Sequence, residues 1–178
     1  MTNKYILPSV NYGRDLNATV SGVKDFQYWE FVSSETAVRH FIKNIPNEDQ
    51  WKSIELLCLT VLQPLRDKFG ELKISSGFRT PILSALVGSS TSSNHCRGEA
   101  ADIECVDDKI TNLMLLEYIN SNLIFHELIA EFFVKDEPHA GWVHVAFRSN
   151  SKIKTLKLKD SIHNYSKVTL DYIKDLYK

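Results

Sequence analysis

The chain is short of most features that assign a protein to a special class. It has three cysteines in 178 residues, Cys58, Cys96 and Cys105. An odd, widely spaced set without a CxxC pair excludes a disulfide framework. No apolar run approaches the roughly 20 residues of a membrane span. The 21 Lys and Arg nearly cancel the 22 Asp and Glu, for a formal net charge of −1. That balance argues against a nucleic-acid partner held by a broadly basic face. The opening residues, Met1 to Pro8, contain no apolar stretch of the kind a secretory signal needs. The protein is therefore expected to be made in the cytoplasm. There is no internal repeat and no clear linker.

What remains is an ordinary globular composition, 43% hydrophobic and 24% charged. A chain of this length buries roughly 70% of its extended surface on folding, so it needs neither metal nor disulfide merely to fold. Residues 1–32 read as an irregular arm. Ser33, Ser34 and Glu35 open a helix expected to end near Asn44 to Pro46. A second helix starts at Asn47 and carries Trp51, Ile54, Leu57, Cys58, Val61, Leu62, Leu65 and Phe69 on one face. Pro64 is expected to kink or divide it, and Gly70 to cap it. Leu72 to Ser75 reads as a strand, and Thr80-Pro81 as a helix start. Residues 88–94 read as a polar loop over a site. Strands are expected at 99–105, 125–134 and 142–147, with helices at 110–119 and in the tail.

Three segments carry the chemistry: Ser76 to Pro81, Ser93 to Asp102, and His139 to Val145. His95 lies in a loop, and Asp102 seven residues on in a strand. Gly98 permits a reversal between them, so both side chains can converge. Alternation puts Trp142 and His144 on one strand face. Two imidazoles and a carboxylate are a usual ligand set for a catalytic zinc, with the fourth position left to water. Asp102 stands in the apolar run Ala100-Ala101-Asp102-Ile103. A buried carboxylate there needs a partner or a metal.

The combined pattern SGFRT, SSNHCRGEAADI and GWVHVAF resembles the zinc D-Ala-D-Ala carboxypeptidase family of metallopeptidases, whose members include phage endolysins. The resemblance covers about residues 26–148. Residues 1–25 are then an N-terminal arm, and 149–178 a C-terminal extension ending in a short helix. It implies an α+β fold, hedgehog/D-Ala-D-Ala peptidase-like, with a small antiparallel sheet carrying the metal and helices flanking it. It implies zinc on His95, Asp102 and His144. It implies Arg79 as the group that positions a substrate carboxylate or carbonyl, a role suited to its planar fork. Ser93 supports the loop or binds substrate.

The general base is where this sequence departs from its relatives. Many place Asp or Glu three residues before the last zinc histidine; here that residue is Gly141. Three substitutes are open: Glu131, Glu137, and His139 as a helper. A hairpin turn centred near residues 137–138 would set Glu131 opposite His144. Cys96, Cys105, His126, His40 and His163 are given no role, with His40 and His163 expected on the surface.

The function implied is a zinc peptidase of the peptidoglycan stem peptide, either a D,D-carboxypeptidase or an endopeptidase. It would be a phage endolysin, acting on the cell wall after holin release, or a virion component with phage structural proteins as partners. The competing reading, motivated by Gly141, is a zinc-holding module in a phage particle without turnover. A hydrolase of the free D-Ala-D-Ala dipeptide is a weaker third.

Overall fold

The computed structural model describes residues 5–151, 153–161 and 164–177. Helix α1 (Glu35–Arg39) is capped by Ser34, whose side chain accepts from the Ala37 amide. It is shorter than expected, because Phe41 turns into the left-handed region at φ 53° and stops it. Helix α2 (Glu48–Leu57) begins with a capping box between Asn47 and Gln50, and Glu48 and Asp49 complement its dipole. A π turn over Cys58–Leu62 joins it to α3 (Gln63–Phe69), with Pro64 in the first turn of α3. The wider turn accommodates the missing proline N–H without ending the helix. Gly70, at φ 84°, closes it.

A six-stranded sheet follows: β1 (Leu72–Ser76), β2 (Ala100–Cys105), β3 (Glu127–Glu131), β4 (Trp142–Ala146), β5 (Thr155–Lys159) and β6 (Ser166–Lys167). Their spatial order is β1-β2-β4-β3-β5-β6. The remaining helices are α4 (Pro81–Leu86), α5 (Asn112–Asn122) and α6 (Leu170–Tyr177). The fold is α+β with helices flanking the sheet, as expected. The sheet is mixed rather than wholly antiparallel, because β5 runs parallel to β3. The tail thus adds two strands that the sequence reading left out. Leu158 on β5 and Ile173 on α6 are fully buried in the same core as Trp51, Leu57 and Leu116.

Strand alternation divides the sheet into two faces. Ala101, Ile103, Leu128, Ala130, Val143, Val145 and Leu158 point into the core. The opposite face carries a row across four strands: Asp102 on β2 pairs with His144 on β4, His144 with Ile129 on β3, and Ile129 with Lys157 on β5. One face therefore holds the fold together and the other presents polar side chains. Among the described residues no helix is long and apolar enough to cross a membrane.

Candidate metal centre

Two devices bring the candidate ligands together, a capped turn for His95 and a strand pairing for Asp102 and His144. His95 sits in a short 3₁₀ turn, Asn94–Arg97, whose N-cap is Ser93; the Ser93 hydroxyl accepts from the His95 amide at 3.3 Å. Gly98 ends the turn in the left-handed conformation, at φ 72°. A β-carbon there would collide with the Gln50 carbonyl on α2. Gln50 also donates through Nε2 to the Cys96 carbonyl at 2.9 Å, tying the loop to α2. Asp102 and His144 are cross-strand partners on β2 and β4. All three side chains are buried.

The three groups converge as the sequence spacing suggested. His144 Nδ1 lies 2.8 Å from Asp102 Oδ1, and His95 Nε2 lies 3.1 Å from His144 Nδ1 and 3.3 Å from Asp102 Oδ1. Donors placed tetrahedrally at ~2.0–2.1 Å from an ion would stand about 3.3 Å apart. His95 Nδ1 lies 2.7 Å from the Gly77 carbonyl. That contact requires a proton on Nδ1, which turns the Nε2 lone pair toward His144 and Asp102. Gly77 is itself constrained: a β-carbon there would lie 2.5 Å from the Phe31 carbonyl oxygen.

Electrostatics favour the ligating forms of Asp102 and His95, whereas His144 without a metal favours its protonated form. Burial acts to raise the Asp102 carboxyl pKa but is outweighed by His95 and His144, which hold it well below the ordinary range. Burial pushes His95 down, against the pull of Asp102. Burial also acts to lower His144, but its hydrogen bond to Asp102 prevails and its pKa is raised. His144 Nε2 is buried without a hydrogen-bond partner among the described residues. The nearest carboxylate to it is Glu127 Oε1, at 3.7 Å. A buried carboxylate, a lone pair fixed by Gly77 and a second imidazole on one point form a donor set that suits a divalent cation. His95, Asp102 and His144 are the group of described residues able to hold a metal ion.

The triad lies in a cavity of about 680 Å³, lined also by Arg79, Ser93, Glu127, Glu131, Trp142 and Lys159. Arg79 reaches it from the loop after β1, with its Nε buried and unpartnered among the described residues. That loop is held by a residue the sequence reading missed. Buried Asn44 donates to the carbonyls of Val32 and Phe78 and accepts from the Thr80 amide. Nothing in the sequence around Asn44 signals this.

The general-base candidates separate. Glu131 is buried and lines the cavity, but the strand register differs from the expected one. Ile129, rather than Glu131, faces His144, and Glu131 pairs with Trp142. Glu131 thus shares the face of His144 one step along the strand, with its Oε2 3.1 Å from Lys159 Nζ. Glu137 and His139 do not reach the cavity. Glu137 is exposed in a turn that bridges back to Val134 and borders a separate 180 Å³ pocket. His139 Nε2 lies 2.9 Å from the Asp108 carbonyl. Their segment is pinned to the start of α5, where Asn112 donates to the Ala140 and Gly141 carbonyls. Glu127 was also missed. Its signal was present in the alternation 127, 129, 131 on one strand.

The other residues without a role are accounted for. Cys96 is buried with Sγ toward the Ser90 carbonyl, and Cys105 Sγ faces the Phe69 and Glu71 carbonyls. His126 Nδ1 lies 2.6 Å from the Ser151 hydroxyl. His40 is exposed, and His163 lies outside the described residues.

A buried two-histidine, one-carboxylate set in an open cavity is the ligand arrangement of a metallohydrolase. The Peptidase M15 family pattern matches residues 24–146, more than half of the chain, and the protein belongs to that family. It is a zinc D-Ala-D-Ala carboxypeptidase-like family, the one its three segments resemble. No curated protein matches the chain. β5, β6 and α6 all fall beyond the matched residues.

Proposed function

We propose that the protein is a zinc-dependent peptidase that hydrolyses peptide bonds in the peptidoglycan stem peptide, as a D,D-carboxypeptidase or an endopeptidase. The observation that carries this reading is the convergence of His95, Asp102 and His144 within 3.3 Å of one another at the base of an open cavity. A phage endolysin or a virion-associated murein hydrolase is the setting in which such an enzyme would meet its substrate.

Zinc on these three residues would supply Lewis acidity toward the scissile carbonyl and an acidified water. The chain's own residues supply the rest. Arg79, which lines the cavity with its Nε unpartnered among the described residues, offers its planar fork to a substrate carboxylate or carbonyl. Glu131 takes the proton that the attacking water releases and returns it to the leaving amine. Ser93 and the Gly77 carbonyl keep His95 in one orientation and one tautomer.

Purified peptidoglycan digested with zinc present, and again with zinc chelated, tests the reading. New amines and mass-identified stem fragments should appear only with zinc. Digestion unaffected by chelation would overturn it. A protein that holds one zinc yet releases no fragment would select the second reading, a structural zinc module. Gly141 favours that second reading, since it leaves the usual position of the base without a side chain.

A further inference from the structure

The cavity has a side that the matched family residues do not supply. Lys157 and Lys159 on β5 and Tyr165 before β6 line it, all beyond residue 146. Strand alternation aims both lysines at the face that carries the triad, since Lys157 pairs with Ile129 and Lys159 with Glu131. Each holds a carboxylate of β3: Lys157 pairs with Glu127, and Lys159 with Glu131 at 3.1 Å.

Lys159 is held more elaborately than a simple ion pair requires. Its ammonium donates to the Tyr165 hydroxyl at 2.7 Å and stands 5.2 Å from the Phe132 ring centre and 4.6 Å from that of Tyr165. Both aromatic residues occupy the left-handed region, at φ 55° and 57°. That conformation is rare for bulky side chains and carries a strain cost. The cation is thus fixed in place by two strained neighbours at one end of the cavity.

Strand order places it relative to the metal. Arg79 follows β1 on one side of the ligand strands β2 and β4, while Lys159 stands two strands beyond β4 on the other. At the usual strand spacing that is roughly 10 Å from β4. The cleft therefore offers a cation on each side of the metal centre.

We propose that Lys159, steadied by Tyr165 and Phe132, is a substrate-carboxylate subsite that selects an acidic residue on the side of the scissile bond away from Arg79. The proposal rests on the peptidase reading above and specifies its substrate. As Glu131 turns to accept a proton, Lys159 loses its partner. A partly buried ammonium without a counter-charge is costly. A substrate carboxylate restores the pairing, so filling the subsite releases the base.

Two synthetic stem peptides test this, identical except that a glutamyl residue N-terminal to the scissile bond carries a free carboxylate in one and a carboxamide in the other. The zinc-loaded full chain should favour the carboxylate by about tenfold in kcat/KM, as expected for one charge-assisted hydrogen bond. Lys159→Gln should bring that ratio near one, and Lys159→Arg should keep most of it. Calorimetric titration with the same peptides should show the same preference in affinity, and this needs no turnover. If the wild type cleaves both peptides equally, the subsite is wrong and the peptidase reading stands. If it cleaves neither but binds the carboxylate form better, and Lys159→Gln loses that preference, the subsite stands and the peptidase reading fails. If it neither cleaves nor binds them, both fall. The wild-type ratio requires no variant, so a misfolded Lys159→Gln protein leaves the test intact.

Discussion

Gly141 and Phe132 meet backbone to backbone. A β-carbon on Gly141 would lie 2.5 Å from the Phe132 carbonyl carbon and would also strike the Glu131 carbonyl oxygen. Gly141 is in addition left-handed, at φ 72°. The position that carries an acid in many relatives cannot carry any side chain here. The absence of that acid is built into the hairpin, and it leaves Glu131 as the base candidate that faces the cavity.

Restoring the acid should therefore fail. Gly141→Ala and Gly141→Asp should each lose about 2 kcal/mol or more of stability, from backbone strain and collision together. Urea unfolding measures this. A Gly141→Asp protein as stable as the parent would contradict the geometry.

Removing a ligand should remove the metal. His95→Ala and Asp102→Ala should hold less than a tenth of the zinc bound by the parent after gel filtration, and should release no stem fragments. Elemental analysis of the purified proteins is the measurement. Full zinc content in either variant would displace that residue from the ligand set.

Glu131 should matter for turnover and not for metal. Glu131→Gln should retain one zinc and lose roughly 10²–10⁴-fold in kcat, the usual contribution of a general base. Glu137→Gln and His139→Ala should stay within about twofold of the parent, since neither side chain reaches the cavity. The reverse pattern in a side-by-side assay would reassign the base.

Acid should weaken the metal site. His144 has a raised pKa without metal and must lose its proton to ligate. Below that pKa, apparent zinc affinity should fall about tenfold per pH unit. The metal-free fold should also lose stability in acid. Asp102, Glu99 and Glu127 are all depressed, so their contributions are present above about pH 4 and fade as pH falls toward their folded values. Competition with a chromophoric chelator from pH 5 to 8 reads the first effect, and acid titration of circular dichroism the second. A flat affinity profile would sink the first expectation.

Deleting residues 149–178 should be severe. It strips β5 from β3 and removes Leu158 and Ile173 from the core. The truncated chain should be insoluble or lack a cooperative thermal transition. A well-folded truncated protein would show that β5 is dispensable.

The parts legible in the sequence were those written in local chemistry. The helix starts at Asn47 and at Thr80-Pro81, and the apolar spacing from Trp51 to Phe69, each follow from a rule that spans a few residues. The convergence of His95, Asp102 and His144 was legible because each stands in a distinctive short context. The misread parts depend on distant partners. The β3–β4 register is shifted because residues 132–141 form a compact turn pinned by Asn112, so Ile129 rather than Glu131 faces His144. β5 announces itself only by the alternation Leu156, Lys157, Leu158, Lys159, which is brief, and its place beside β3 is set by a parallel pairing no local signal encodes. Asn44 is legible only once three separate backbone segments are seen to meet around it.

The parallel β3–β5 pairing also sets an order of events. Glu127 pairs with Thr155 and Glu131 with Lys159, so β3 remains an open edge until residues 155–159 are available. During synthesis, which proceeds from the N-terminus, His95 and Asp102 emerge well before the strand that completes their cleft, and His144 eleven residues ahead of Thr155. A chain terminated before Thr155 therefore carries His95, Asp102 and His144 without a finished cleft around them.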